Sequence, residues 1–143
     1  MRPIKFRVFD THHKCIRQAH QIDVRISGEN VFVNTGFGEL TEPYIILMQF
    51  TGLLDKNGKE IYEGDIVKQT WQTVVGVLAP NEDEVYETEE CITEVVFENG
   101  AFCLKNSYHN YGAIPVFEAV DKYTESFVEV IGNIWENPEL LTH

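Results

Sequence analysis

Residues 47–67, LMQFTGLLDKNGKEIYEGDIV, hold three glycines and a run of apolar residues on either side of Asp55-Lys-Asn-Gly-Lys59. A ligand-binding loop would converge its polar groups. Here Leu53, Leu54, Ile61 and Tyr62 flank the turn and the charges of Lys56 and Lys59 look outward, so the stretch reads as a connector joining two parts of a sheet. Gly52 is expected to end a strand at Met48-Gln-Phe-Thr51, Asn57-Gly58 to supply positive φ values for a tight reversal, and Gly64-Asp65 to turn the chain into the next strand.

Outward from this connector, period-two alternation dominates, which is the signature of half-buried strands. Ile4, Phe6 and Val8 fall on one face, with Lys5, Arg7 and Phe9 on the other, predicting a strand with a basic outer side followed by a turn at Asp10–Lys14. Ile22, Val24 and Ile26 alternate with polar residues, and Val31-Phe-Val33 returns after Gly28-Glu29-Asn30 as a hairpin partner. Thr35 to Pro43 is a loop, and its Gly-Phe-Gly lacks the strand-to-helix setting of a dinucleotide site. Thr73–Leu78 and Glu94–Phe97 are expected to pair across an acidic excursion. Asn99-Gly100 is the strongest hairpin turn in the chain, and Pro138-Glu-Leu-Leu141 fits one helical turn. No window supports a long amphipathic helix. About nine or ten strands with short connections predict an all-β barrel or sandwich-like fold. The Glu63-Gly-Asp-Ile-Val67 lead-in suggests an SH3-like barrel in the second half.

The 143 residues suit one domain with a real core: N-terminal strands and loop over 1–46, the connector 47–67, and a barrel-like half over 68–143 with the acidic excursion 80–90. The longest apolar run, Tyr44–Met48, is too short to span a bilayer, and the alternating N-terminus lacks the apolar core of a signal peptide. A cytoplasmic protein is expected. Cys15, Cys91 and Cys103 are odd in number and far apart, which argues against a disulfide framework and a thiolate zinc site.

A net charge of −12 argues against a broad phosphate-binding surface, yet six of the eleven basic residues fall in the first thirty positions. From Glu60 onward only Lys68, Lys105 and Lys122 face seventeen acids. Such polarity could steer an opposite-ended partner or a second copy head to tail. Pro80 to Glu90 carries six carboxylates in eleven residues without the spacing of a calcium loop. It reads as a solvated, mobile loop, with docking on a basic host surface as the functional alternative. His12, His13, Cys15 and His20 read as a surface turn rather than a closed metal site, because adjacent extended residues point to opposite sides. Asn106–Tyr111, with His109, is a polar aromatic loop. Cys103 with His109 can be drawn as a nucleophile and base, but no spacing selects that pair and Cys103 sits in an expected strand.

Lys5-Phe-Arg-Val-Phe-Asp10, Met48-Gln-Phe-Thr-Gly-Leu53, Asp55–Val67, Val95-Val-Phe-Glu-Asn-Gly100 and Val130-Ile-Gly-Asn-Ile-Trp-Glu-Asn-Pro-Glu-Leu140–141 together closely resemble the YopX family, encoded mainly by bacteriophages and prophages. The resemblance runs from end to end. It implies a predominantly β fold with a large mixed sheet and a cytoplasmic life in a bacterial host. It implies no activity, catalytic residue or cofactor. Thr70 to Thr93, which holds the acidic patch, is longer than the connector usual in such proteins.

The expectation is therefore a non-enzymatic phage or prophage accessory protein without cofactor or metal, acting by protein–protein binding as a homo-oligomer or on a host or phage protein, away from membranes. The alternative is a nucleic-acid-binding accessory factor using the basic N-terminal strand. The candidate partner surfaces are Glu82, Asp83, Glu84, Glu87, Glu89 and Glu90 on one side and Arg2, Lys5, Arg7 and Arg17 on the other.

Overall fold

The structure is a computed structural model, and it describes residues 3–24, 31–36, 38–41, 44–77, 79–80, 83–105, 114–119 and 126–142. Among these residues the chain forms twelve β-strands, one four-residue α-helix and a short 3₁₀ helix, so the fold is all-β, with a sheet curled as a half-barrel. Two compact units divide at residue 52 of the 47–67 stretch: Met1–Gly52 and Leu53–His143.

In the first unit, β1 (Phe6–Asp10) lies between β2 (Cys15–Gln18) and β6 (Ile45–Leu54), antiparallel to both. A second sheet runs β3 (Gln21–Val24), β4 (Val31–Asn34), β5 (Glu39–Thr41), the first two strands pairing as the expected hairpin with Ile22 opposite Val33 and Val24 opposite Val31. The Gly28–Asn30 turn lies outside the described residues. Val8, Val33 and Ile45 form this unit's core, with Ile22, Leu40 and Leu47 packed on it. The expected basic outer side of β1 is not what the structure shows. Arg7, Val8, Phe9 and Asp10 are all buried, because β1 is a central strand and both of its faces are covered.

The connector also folds differently from its glycine pattern. β6 does not stop at Gly52. It passes through it at φ 87° and ends at Leu54, and β7 (Glu60–Tyr62) pairs back onto it. In the reversal only Gly58 takes a positive φ, 81°, so Asn57-Gly58 is not a paired positive-φ turn. What shapes it is Asp55, whose Oδ1 accepts the backbone N–H groups of Asn57 at 2.8 Å and Lys59 at 2.9 Å.

The second unit is a five-stranded antiparallel sheet in the order β11 (Ile114–Pro115), β10 (Ala101–Leu104), β9 (Glu84–Glu98), β8 (Asp65–Val77), β12 (Phe127–Asn133). Ile61, Val67, Val95, Leu104, Val116, Ala119 and Val128 make its core, the last two apolar groups before Val128 coming from the short α1 (Val116–Ala119). Asn99 at φ 51° and Gly100 at φ 81° join β9 to β10, and both central residues of the turn are left-handed as a type I′ turn requires. At the C-terminus Asn133 Oδ1 accepts the N–H groups of Trp135 and Glu136, which turns the chain into the 3₁₀ helix Pro138–Leu141 where the sequence predicts a helical turn.

Asp55 ties this unit together. Its Oδ2 accepts Val130 N–H at 3.0 Å, and next to it Lys56 N–H donates to Val128 O at 2.9 Å, so the connector's turn is bonded to β12. Burial works to raise the Asp55 carboxyl, but the three backbone donors and the nearby Lys59 charge outweigh it and hold the group below the usual carboxylate value.

Candidate functional site

β8 and β9 are 13 and 15 residues long, whereas β12 reaches along β8 only to Thr70 and β10 along β9 only to Val95. Beyond those points the two strands continue as a ribbon, with Gln72 opposite Thr88, Thr73 opposite Glu87 and Val74 opposite Tyr86. The expected pairing of Thr73–Leu78 with Glu94–Phe97 is thus replaced: Glu94 lies opposite Ile66, and Thr73–Val77 pairs with residues 84–87. The acidic excursion read as a loop is strand from Glu84 to Glu90. A long cross-strand ladder outweighs the charge of the run because Val74, Val75, Val77, Val85 and Tyr86 suit extended backbone.

Alternation then sorts the acids. The odd-numbered residues of β9 point with Val95 toward the core side, taking Glu87 and Glu89 with them; Glu84 and Glu90 share the opposite face with Tyr86, Thr88, Ile92 and Glu94. On β8, Thr70, Gln72 and Val74 face the same way as Glu90, Thr88 and Tyr86. A register shift between Val74 and Gly76 restores that facing for Val77, opposite Glu84. Val74, Val77 and Tyr86 are 47%, 56% and 52% exposed, which places three large apolar side chains together in solvent. Tyr86 Oη donates to Glu84 Oε2 at 2.5 Å. Toward the body of the sheet β9 borders a cleft of about 720 Å³ lined by Glu90, Cys91, Ile92, Thr93, Glu94, Lys105 and Leu141. Lys105 Nζ lies 2.8 Å from Glu94 Oε1, and that bond, with the Glu94 charge, raises the Lys105 ammonium above its usual value. Lys68 and Lys56 both lie beside Glu129, at 3.7 and 3.1 Å.

Among the described residues, the remaining candidates do not assemble into a second surface. Arg2 and Glu82 lie outside the described residues, and Asp83 is exposed just ahead of β9. Lys5 is exposed with its Nζ 5.5 Å from the centre of the Phe50 ring. Arg7 is 8% exposed, with Nη2 3.9 Å from Met48 Sδ. Arg17 Nε donates to the buried Asp10 Oδ2 at 3.1 Å. Asp10 organises the β1–β2 turn: Oδ1 accepts the N–H groups of His12 and His13, both at 3.0 Å, and Oδ2 lies 2.7 Å from His13 Nδ1. Burial pushes the Asp10 carboxyl up, but the His13, Arg17 and His12 hydrogen bonds override it and hold it far below the usual range. The two histidine rings do not point to opposite sides. The chain turns here, and they meet edge to face at 4.8 Å.

Among the described residues no group of three or more His, Cys, Asp or Glu is placed to hold a metal ion. Cys103 is buried, and burial with the Glu98 charge pushes its thiol up, away from the thiolate form a nucleophile needs. His109 and the Asn106–Tyr111 loop lie outside the described residues. What sequence reading missed is the pairing of the acids with Val74, Val77, Ile92 and Leu141. Only register, with its shift near Val75, shows which of these share a face.

The sequence profile described as "YopX protein" matches residues 5–142, nearly the whole chain. The chain belongs to the YopX family. A solved structure, that of protein EF1440 from Enterococcus faecalis, is similar to this YopX-family chain with a TM-score of 0.57 and 24% identity over 99% of each chain, a likeness of fold. No curated protein matches. Within the YopX-family motifs, Asp55, Asn57 and Gly58 build the turn, and Gly132, Asn133 and Asn137 the C-terminal corner. Both motifs are structural rather than part of the exposed ribbon face. No helix among the described residues is long and apolar enough to cross a membrane.

Proposed function

We propose that this YopX-family protein is a non-enzymatic phage or prophage accessory protein that acts in the bacterial cytoplasm by binding another protein through the β8–β9 ribbon. The observation that carries this reading is the cluster of Val74, Val77 and Tyr86, each about half exposed on a ribbon that projects past its neighbouring strands. Single exposed apolar residues are ordinary, but a contiguous patch rimmed by charge is the usual mark of a protein-binding surface. The non-enzymatic reading is supported by where the perturbed groups lie among the described residues: Asp10 and Asp55 are shifted by the turns they cap, Cys103 by burial, and Lys105 and Glu129 by ion pairs with Glu94 and Lys56.

Charge favours a different protein over a second copy or a nucleic acid. Ribbons of two copies would bring glutamates against glutamates, and two of the N-terminal cations that would complement either partner are engaged, Arg7 within the fold and Arg17 on Asp10. The test is capture from lysate of phage-infected cells with two baits, the wild type and V74D/V77D. A protein retained by the wild type and lost by the variant supports the reading. Identical retention by both baits, or by neither, overturns it.

A further inference from the structure

Resting on that reading, we infer that the partner presents an extended segment that alternates basic and apolar residues, and that it lies along the even-numbered face of β9 from the ribbon tip into the cleft at Leu141. The register makes this face continuous. Glu84, Tyr86, Thr88, Glu90, Ile92 and Glu94 follow at every second position of one strand, a run of roughly 33 Å at about 3.3 Å per residue, the length of a ten-residue extended segment. Apolar contacts are available at both ends: Val74, Val77 and Tyr86 at the tip, and Ile92 with Leu141 at the cleft.

The charge on the face selects the sign of the partner. Lys105 is bonded to Glu94, and Lys68 and Lys56 lie beside Glu129, so the nearby cations are already matched by carboxylates. Among the described residues no cation pairs with Glu90, which stands at the mouth of the cleft, and Glu84 meets only the Tyr86 hydroxyl. Among the described residues, two carboxylates are therefore presented beside apolar surface without a cation. A Lys or Arg side chain can bury its methylene stem on Tyr86 or Ile92 and place its charge on Glu84 or Glu90. Phosphate-bearing partners would be repelled by the same groups.

The probe is a fluorescein-labelled peptide of alternating lysine and leucine, ten residues long, with a lysine–serine peptide of the same charge as its control, titrated into the full-length protein by fluorescence anisotropy. Two double variants remove equal charge from opposite faces of one strand: E84Q/E90Q and E87Q/E89Q. All four side chains are exposed, so both variants are expected to fold. The lysine–leucine peptide should bind more tightly than the lysine–serine one. Its affinity should fall about tenfold in E84Q/E90Q, on the order of two half-exposed ion pairs, and less than about twofold in E87Q/E89Q. Equal losses in both variants would mean that net charge alone attracts the peptide, and would overturn the inference. So would equal affinity for the two peptides, no binding of either, or sedimentation showing this face buried between two copies. If V74D/V77D still loses a lysate partner while the peptide does not bind, the partner class is wrong and the ribbon reading stands; if neither experiment shows an effect, both fall.

Discussion

Replacing Asp55 with Asn should destabilise the second unit by about 2–4 kcal/mol at neutral pH. The wild-type carboxylate is 7% exposed and accepts three backbone N–H groups, two on Oδ1 from Asn57 and Lys59 and one on Oδ2 from Val130. An amide keeps one accepting oxygen. If that oxygen stays with the turn, an NH₂ group faces Val130 N–H, leaving a buried donor unpaired at a cost of about 1–3 kcal/mol, while loss of charge weakens the other two bonds by several tenths each. Both tryptophans, Trp71 and Trp135, lie in Leu53–His143, so urea unfolding followed by tryptophan fluorescence reports on this unit alone. The same substitution should speed hydrogen exchange at Val130, and at Lys56, whose N–H donates to Val128 O. The sign of the pH effect is fixed by the depressed carboxyl. Its stabilisation is fully present above the ordinary value of 3.8 and is lost as pH falls from there toward the folded-state value, so the gap between wild type and D55N should close on acidification. A D55N protein within about 0.5 kcal/mol of wild type at pH 7, or a gap that widens in acid, would refute the role given to Asp55.

Gly132→Ala should cost about 1–3 kcal/mol in the same assay, since its Cβ would come within 2.7 Å of Asn137 Oδ1 and 2.9 Å of Leu140 Cδ1. Gly100→Ala should cost about 1 kcal/mol by unfolding midpoint, because φ 81° is strained for alanine although no atom stands within 4 Å of the added carbon. Asp10→Asn should reduce the fall in stability of the first unit below the ordinary carboxylate value, the depressed Asp10 carboxyl being one of the groups that must take up a proton as the wild type unfolds in acid; circular dichroism between pH 2 and 7 measures it. Under native conditions a thiol reagent should modify half-buried Cys15 and Cys91 before Cys103, whose burial both shields the thiol and disfavours its thiolate, and mass spectrometry of the labelled peptides gives the order.

The all-β class, the Asn99-Gly100 hairpin, the return of Val31–Val33 onto the Ile22–Val24 strand and the turn at Pro138 were legible because each depends on neighbours close in the chain: alternation along a strand, two left-handed residues in a tight turn, a proline at a helix start. Arg7 defeated the same logic. Alternation shows that a strand has two faces, but whether one of them is wet depends on what else packs there, and β1 is covered on both. Asp55 was hidden for a similar reason, since its partner Val130 is 75 residues away. The acidic run was misread as a loop because charge was weighed without its ladder partner. Once Thr73 is set opposite Glu87, the run becomes one strand with two acids on each face. The cleft needed the C-terminal turn to bring Leu141 beside Ile92, and nothing local in either segment announces that meeting.

The bonds from Val130 to Asp55 and from Lys56 to Val128 also set an order of events during synthesis. The connector's turn leaves the ribosome well before β12, and its carboxylate stays short of a ligand until Val130, 75 residues later, has been made. A nascent chain halted before Phe127 would hold the long hairpin but lack the strand that locks its base, and should be cut readily by protease. A chain that includes β12 should resist, so that protection arrives in one step with that strand rather than residue by residue.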